Sequence, residues 1–362
     1  MDFKKVRINN VKNNMILAKD VITKNGMVIF VKGSALSNKD IEKIEKSDID
    51  YIYVYEQIDA NPFDVKDGYD FEEEAKKSVV KREEFKKFVN IYRKRVDKIK
   101  DSFMGTLNGE PLNVSALYDS AASILDEVRC KSDVVNYIYH LKVYDDYTYR
   151  HSINVSILCY LYAEWTNMPY DEKRDITVAG ILHDIGKTLI DDKILNKSGK
   201  LTQEEFCEMK KHTSYGYMLL IDQNIPDTIK LTALMHHEKL DGTGYPLGVT
   251  ESKIEHFAKI VSVCDIYDAM TSDRAYHIRK CPFRVLKEFE ENYYGSLDVE
   301  KVMTFSKNIA YSYIGSRVLL SNKEEGEVVF INPNNLSKPI VKTGDKFIDL
   351  CSNSGIYIQE LI

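Results

Sequence analysis

Five of the chain's eight histidines fall between residues 151 and 237, each at a distinctive place in the hydrophobic pattern. His151 opens an apolar helical run through Val155, Leu158 and Tyr162, and His183-Asp184 closes the apolar run 176–182. His212 lies on another helical stretch. His236-His237 ends the helix expected over 225–235, where Pro226 occupies a permitted first-turn position. A carboxylate, Asp265, falls inside the strongly apolar stretch 258–270. Burying it unpaired costs several kcal/mol, so it needs a cationic partner or a metal. A single buried histidine is usually a satisfied core residue. Five histidines with two carboxylates are better explained as metal ligands, and imidazole with carboxylate suits iron, manganese, zinc or nickel.

Adjacent ligands point about 100° apart on a helix of about 3.6 residues per turn. His183 with Asp184, and His236 with His237, can therefore touch two sides of one cluster. After the paired histidines comes Glu238-Lys239-Leu240-Asp241-Gly242-Thr243-Gly244-Tyr245-Pro246-Leu247-Gly248. Its three glycines, proline and tyrosine make a tight, permissive loop, expected to wall a substrate cleft. Lys187 follows His183-Asp184 by one turn, and Arg274 comes nine residues after Asp265. Both suit phosphate oxygens near a metal, although either alone would read as a surface charge.

Ligands this far apart in the chain converge only if several helices end on one point. That suits a helical bundle with a metal centre inside it. Helical patterns dominate residues 116–315, which we take as the catalytic domain. Residues 1–60 read as a small α+β accessory domain, regulatory or merely packed. They combine β-rich runs around Asn25-Gly26, a short helix capped by Ser37 through Ile41 and Ile44, and a strand at 51–54. Residues 61–115 form a charged helical linker. Over 71–103, Phe85, Phe88, Tyr92 and Val96 recur at helical spacing among charges of both signs. This is a solvated helix face rather than a nucleic-acid patch, and it offers contacts for a homodimer. Residues 316–362 carry short β runs at 318–320, 328–331 and 340–341, expected to form a small antiparallel β subdomain.

Composition narrows the function. The 362 residues hold 50 Lys and Arg against 56 Asp and Glu, a formal charge of −6, which disfavours a nucleic-acid polymer as partner. No apolar run is long enough to span a membrane, and the first residues have no secretory pattern. The six cysteines are scattered without a C-x-x-C pair, as in a cytoplasmic protein with reduced thiols.

The motifs resemble the HD-GYP family of cyclic di-GMP phosphodiesterases, a branch of the HD metal-dependent phosphohydrolases. His183-Asp184-Ile185-Gly186-Lys187 and Gly244-Tyr245-Pro246 carry the likeness. Tyr147-Thr148-Tyr149-Arg150-His151-Ser152 is similar to the family's leading histidine motif, and His212 to its intermediate histidine. His236-His237-Glu238-Lys239-Leu240-Asp241-Gly242 matches the paired-histidine motif, and Asp265 with 268–274 the closing aspartate segment. The resemblance implies a mainly α fold: an HD-type helical bundle with a binuclear metal centre, flanked by the small N-terminal and C-terminal parts. By motif position, His151, His183, Asp184 and Asp265 would hold one divalent ion. His212, His236 and His237 would hold the other, with Asp184 bridging. Iron or manganese is expected, with zinc or nickel as alternatives. Relatives with three ions carry an additional Glu where this chain has Tyr147, with Asp146 one residue further back, so two ions are expected. Lys187 and Arg274 would contact the scissile phosphate, and Gly244, Tyr245 and Pro246 would line the ligand cleft.

The chemistry agrees with that carry-over. Water bound to a metal has its pKa lowered from about 15.7 toward 7, which supplies hydroxide at neutral pH. Asp184, Lys187 and Arg274 are the residues expected to act with it, the two cations neutralising charge on the phosphoryl oxygens. Cyclic di-GMP would be opened to pGpG, with GMP the product of any second cut. Two alternatives stand beside this: another cyclic dinucleotide as substrate, and a catalytically silent sensor or interaction module.

Overall fold

In a computed structural model of the chain, the residues described are 3–11, 15, 17–19, 21–22, 28–30, 36, 41, 43–44, 49, 51–55, 82–128, 131–141, 147–197, 199–273, 279–293, 295–353 and 355–362. They belong to two compact units, Met1–Asp67 and Gly68–Ile362. In the first, β1 (Phe3–Arg7) pairs antiparallel with β4 (Tyr51–Tyr55), and β2 (Val21–Ile22) with β3 (Val28–Phe30). Ile41, Lys43 and Ile44 are helical. Ile8, Leu17, Val21, Leu36, Ile44, Ile52 and Val54 form its core. The expected turn at Asn25-Gly26 and the Ser37 cap lie outside the described residues.

The second unit begins with α1 (Arg82–Leu107); residues 71–81 of the expected helix lie outside the described ones. Phe88, Tyr92, Val96, Ile99 and Phe103 recur every three or four residues and are buried in the unit's own core. A second copy of the chain would therefore have to meet other residues of this helix. Then come α2 (Val114–Asp126), capped by the Asn113 side chain, and α3 (Lys131–His140). At the centre stand α4 (Tyr147–Trp165) and α5 (Tyr170–Leu182). Residues 150–163 of α4 are buried without interruption, as are 176–182 of α5, so these helices are enclosed on all sides rather than amphipathic.

A 3₁₀ turn (Ile185–Leu189) leads to α6 (Asp192–Leu195), α7 (Gln203–Lys210) and α8 (His212–Leu220). A capping box between Thr202 and Glu205 starts α7. Next are α9 (Asp227–Met235) and α10 (His256–Thr271). Pro226 is the residue before α9 rather than within its first turn, and the helix starts two residues later than the expected 225. The Glu255 carboxylate accepts from Phe257 N and Ala258 N at 2.6 and 3.1 Å and from Thr232 Oγ1 at 3.2 Å. It thereby caps α10 and ties it to α9.

The bundle closes with α11 (Pro282–Asn292) and α12 (Val299–Ser312). Five antiparallel strands follow: β5 (Arg317–Leu320), β6 (Glu325–Asn332), β7 (Asn335–Thr343), β8 (Lys346–Asp349) and β9 (Ile358–Leu361), in the order β8-β7-β6-β5-β9. Val318, Leu320, Val328, Ile331, Leu336 and Val341 belong to the same hydrophobic core as the helices. The fold of the described residues is thus mainly α, with two two-stranded sheets in the first unit and one five-stranded sheet at the end of the second.

Candidate metal centre

The ligands expected from sequence converge. His151 stands one turn inside α4, His183 ends α5, and Asp184 precedes the 3₁₀ turn. His212 opens α8, His236-His237 follows α9, and Asp265 lies on α10. One donor atom from each of Asp184, His212, His236 and His237 lies within 4.8 Å of the others, and the same holds for His151, His183 and Asp265. Asp184 belongs to both neighbourhoods. Its Oδ1 is 3.3 Å from His212 Nε2 and 3.8 Å from His236 Nε2. Its Oδ2 is 3.2 Å from His183 Nε2 and 3.5 Å from His151 Nε2.

Local structure aims the rings. Nδ1 of His183, His212 and His236 points at the carbonyl oxygens of Gly180, Met209 and Ala233, at 2.8, 2.7 and 3.0 Å. A carbonyl only accepts, so Nδ1 carries the proton and Nε2 presents a lone pair to the interior. Around His151 the same task falls to Asp268 Oδ2, 2.7 Å from Nδ1. His183 Nε2 and Asp184 Oδ1 are buried with no hydrogen-bond partner, and His151 Nε2 lies 2.9 Å from Asp265 Oδ1 without hydrogen-bond alignment. Leaving such atoms unpaired costs about 1–3 kcal/mol each. A divalent cation among them satisfies all at once, so the donor set fits a metal.

Electrostatics are consistent with that fit. Burial favours neutral imidazole and prevails at His212, pushed down to about 4, and at His236, held well below its ordinary value by burial and by the neighbouring rings. At His151 burial acts the same way, but Asp265 and Asp268 outweigh it and push the ring up to about 9. Burial would raise the two carboxylates. Lys187 and His183 instead hold Asp184 well below the usual range, and His151 does so for Asp265.

Lys187 Nζ forms an ion pair with Asp184 Oδ2 and is 18% exposed, at the edge of the cluster. The loop after the paired histidines folds back on them. Tyr245 N donates to His237 O at 3.2 Å, and the Tyr245 ring centroid lies 4.8 Å from that of His237. A Cβ at Gly244 would fall 2.4–2.6 Å from backbone atoms of Lys239 and Glu238, so only glycine permits this approach. Pro246 is exposed beside it. Arg274 lies outside the described residues. Sequence reasoning had assigned no part to Glu238, whose buried carboxylate accepts from Leu247 N, Gly248 N and Val249 N at 2.6, 3.2 and 3.2 Å. It places Asp268 in the closing aspartate segment but gives it no role, although a second acid one turn after Asp265 on an apolar helix is a visible signal.

A helical bundle whose helix ends converge two carboxylates and five imidazoles is the architecture of an HD domain, and residues 136–294 match the family model of that description. With the Gly244-Tyr245-Pro246 loop after the paired histidines, this HD-like region carries the motif order in which the chain resembles the HD-GYP family. It is 34% identical over 227 residues to a cyclic di-GMP phosphodiesterase of Pseudomonas aeruginosa, covering 61% of this chain and 55% of that protein. It is also 34% identical over 154 residues to a 3′3′-cGAMP-specific phosphodiesterase of Vibrio cholerae, covering 42% and 34%. The chain thus spans about half the length of the first relative and a third of the second. Among solved structures, an HDG"Y"P protein from Bdellovibrio bacteriovorus superposes with a TM-score of 0.51 at 14% identity, over 84% of this chain and 98% of that one, and shares the fold. No helix among the described residues is long and apolar enough to cross a membrane.

Proposed function

We propose that the chain is a metal-dependent phosphodiesterase that hydrolyses cyclic di-GMP to pGpG, with residues 116–315 as its catalytic domain. One observation carries the reading: the two oxygens of Asp184 face two separate groups of inward-aimed imidazole nitrogens. His151, His183, Asp184 and Asp265 would hold one divalent ion, and His212, His236 and His237 the other, with Asp184 shared. Nitrogen and oxygen donors in this mixture suit iron or manganese. When bound, such ions supply Lewis acidity toward a phosphoryl oxygen and acidify water toward neutrality.

The chain's own residues do the rest. Lys187 neutralises Asp184 at the edge of the cluster and would offset charge on a phosphoryl oxygen. Arg274 is the second cation of this reading. Tyr245 offers an aromatic face beside His237 against which a base can lie, and Glu238 holds the loop that carries it. The relatives' cyclic dinucleotide substrates support that substrate class, and the likeness to a 3′3′-cGAMP-specific enzyme favours a second reading with that nucleotide as substrate.

The test is turnover by anaerobically purified, metal-loaded protein of cyclic di-GMP, 3′3′-cGAMP and cyclic di-AMP in parallel, with products separated by chromatography. Cleavage of cyclic di-GMP that disappears in Asp184→Ala is the expected result. Faster cleavage of 3′3′-cGAMP supports the second reading. Protein that binds ions and nucleotide but cuts none is a silent sensor.

A further inference from the structure

A line of hydrogen bonds reaches His151 from a helix that supplies no ligand. Tyr92 lies on α1, and its hydroxyl approaches Asn154 Oδ1 at 2.7 Å and Arg150 O at 3.2 Å. Asn154 Nδ2 donates to Asp268 Oδ1 at 2.9 Å, an oxygen that also accepts from Ser272 Oγ at 2.9 Å. The other oxygen of Asp268 accepts from His151 Nδ1 at 2.7 Å. Tyr92, Asn154, Asp268 and His151 are each no more than 2% exposed, so water does not substitute for any member.

The line has a direction. Asn154 Oδ1 faces a hydroxyl donor, so its amide nitrogen must face Asp268. Asp268 then accepts on both oxygens, which keeps a proton on His151 Nδ1 and turns Nε2 toward Asp184 and Asp265, where a metal would take it as a ligand. Partners that hold the far nitrogen of a ligating histidine typically change metal affinity by about 10- to 100-fold when removed.

We propose that Tyr92 is a positioning residue for metal binding: acting through Asn154 and Asp268, it fixes the tautomer and aim of His151. The proposal rests on reading the cluster as a metal centre.

Its test is titration of Mn²⁺ into metal-free full-length protein, followed by calorimetry, for wild type, Tyr92→Phe, Asp268→Asn and the double variant. Tyr92→Phe keeps the ring and removes only the hydroxyl. Its Mn²⁺ affinity should fall about tenfold, and Asp268→Asn should lose at least as much. The double variant should lose little beyond Asp268→Asn alone, because both changes break one line. Tyr313→Phe is the comparison: it removes a buried hydroxyl contact, 3.0 Å to the Tyr267 hydroxyl, that is no part of this line. A merely structural Tyr92 would lower the unfolding temperature as Tyr313→Phe does and leave Mn²⁺ affinity within twofold of wild type, and that result overturns the proposal. Losses that multiply in the double variant overturn it as well. Wild-type protein that takes up no Mn²⁺ would overturn both this proposal and the metal centre, whereas normal wild-type uptake with an unaffected Tyr92→Phe removes only the role of Tyr92.

Discussion

Gly186 is the position where one added methyl group should dismantle half of the centre. It lies two residues after Asp184 in the 3₁₀ turn, pressed against the start of α8. A Cβ built there would stand 2.0 Å from His212 O, 2.3 Å from Gly216 N and 2.9 Å from His212 C. All three are backbone atoms, so no rotamer change relieves the clash. Restoring ordinary contacts of about 3.5 Å requires α8 to retreat by more than about 1 Å. His212 is the first residue of that helix, and its Nε2 lies 3.3 Å from Asp184 Oδ1. Metal–ligand distances tolerate only about ±0.2 Å, so a shift of that size removes His212 from coordination. Overpacking of this kind costs about 1–3 kcal/mol. Gly186→Ala should therefore lower stability to denaturant by that amount and lose the ion held by the His212, His236 and His237 group, while His151, His183 and Asp265 retain theirs. Denaturant unfolding and metal content per chain by mass spectrometry read the two effects. Gly355→Ala, where a Cβ meets nothing within 4 Å, should stay within about 0.5 kcal/mol of wild type. Wild-type stability and a full metal complement in Gly186→Ala would refute the reasoning, since the turn and α8 would then have slack to give.

Four further outcomes are expected. Asp184→Ala should abolish uptake at both groups, because each carboxylate oxygen serves a different one; elemental analysis that finds one ion still bound would show the sharing to be wrong. His151 has its folded pKa raised to about 9 from 6.5, so its contribution to the metal-free protein is complete below pH 6.5 and lost as pH rises through 9. At about 1.36 kcal/mol per unit, that loss is on the order of 3 kcal/mol, measurable by unfolding the chelated protein at each pH. A metal must displace the same proton, so uptake at pH 7 should release about one proton from His151, seen as calorimetric heats that vary with buffer ionisation enthalpy. Glu238→Gln keeps one acceptor oxygen where the carboxylate uses two, so the loop loosens; KM for the dinucleotide should rise about tenfold, the equivalent of one charged hydrogen bond, with metal content unchanged.

Most of the residues that converge were legible because they sit at a break in a local pattern: a histidine at either end of an apolar run, or an acid inside one; His212, on an ordinary helical stretch, was marked only by the family resemblance. Such breaks are visible without knowing what packs against what. The role of Asp268 was not, since its partners His151 and Asn154 are 117 and 114 positions away and no local period links them. Lys187 shows the same limit. Its spacing marked it as a phosphate contact, but the fold also pairs it with Asp184, three residues earlier. In the sheet, β8 and β9 are only four residues long and mix charged with apolar positions, so they escaped a reading based on apolar runs. The glycine at 186 looked like an ordinary turn residue, and only the approach of α8 makes it obligatory.

The rings of His183, His212 and His236 are each tethered to the main-chain oxygen three residues earlier. That tether asks nothing of neighbouring side chains, so another residue at 209 or 233 would supply the same carbonyl, whereas a Cβ at Gly180 would fall 2.8 Å from Ser156 Cα and closes that position to other residues. Substitution at 209 or 233 can alter packing without removing the carbonyl, and exchanging one transition ion for another calls for no re-aiming of the donors. Occupancy should then follow supply, so that protein from iron-rich and manganese-rich cultures carries different ions in an unchanged frame.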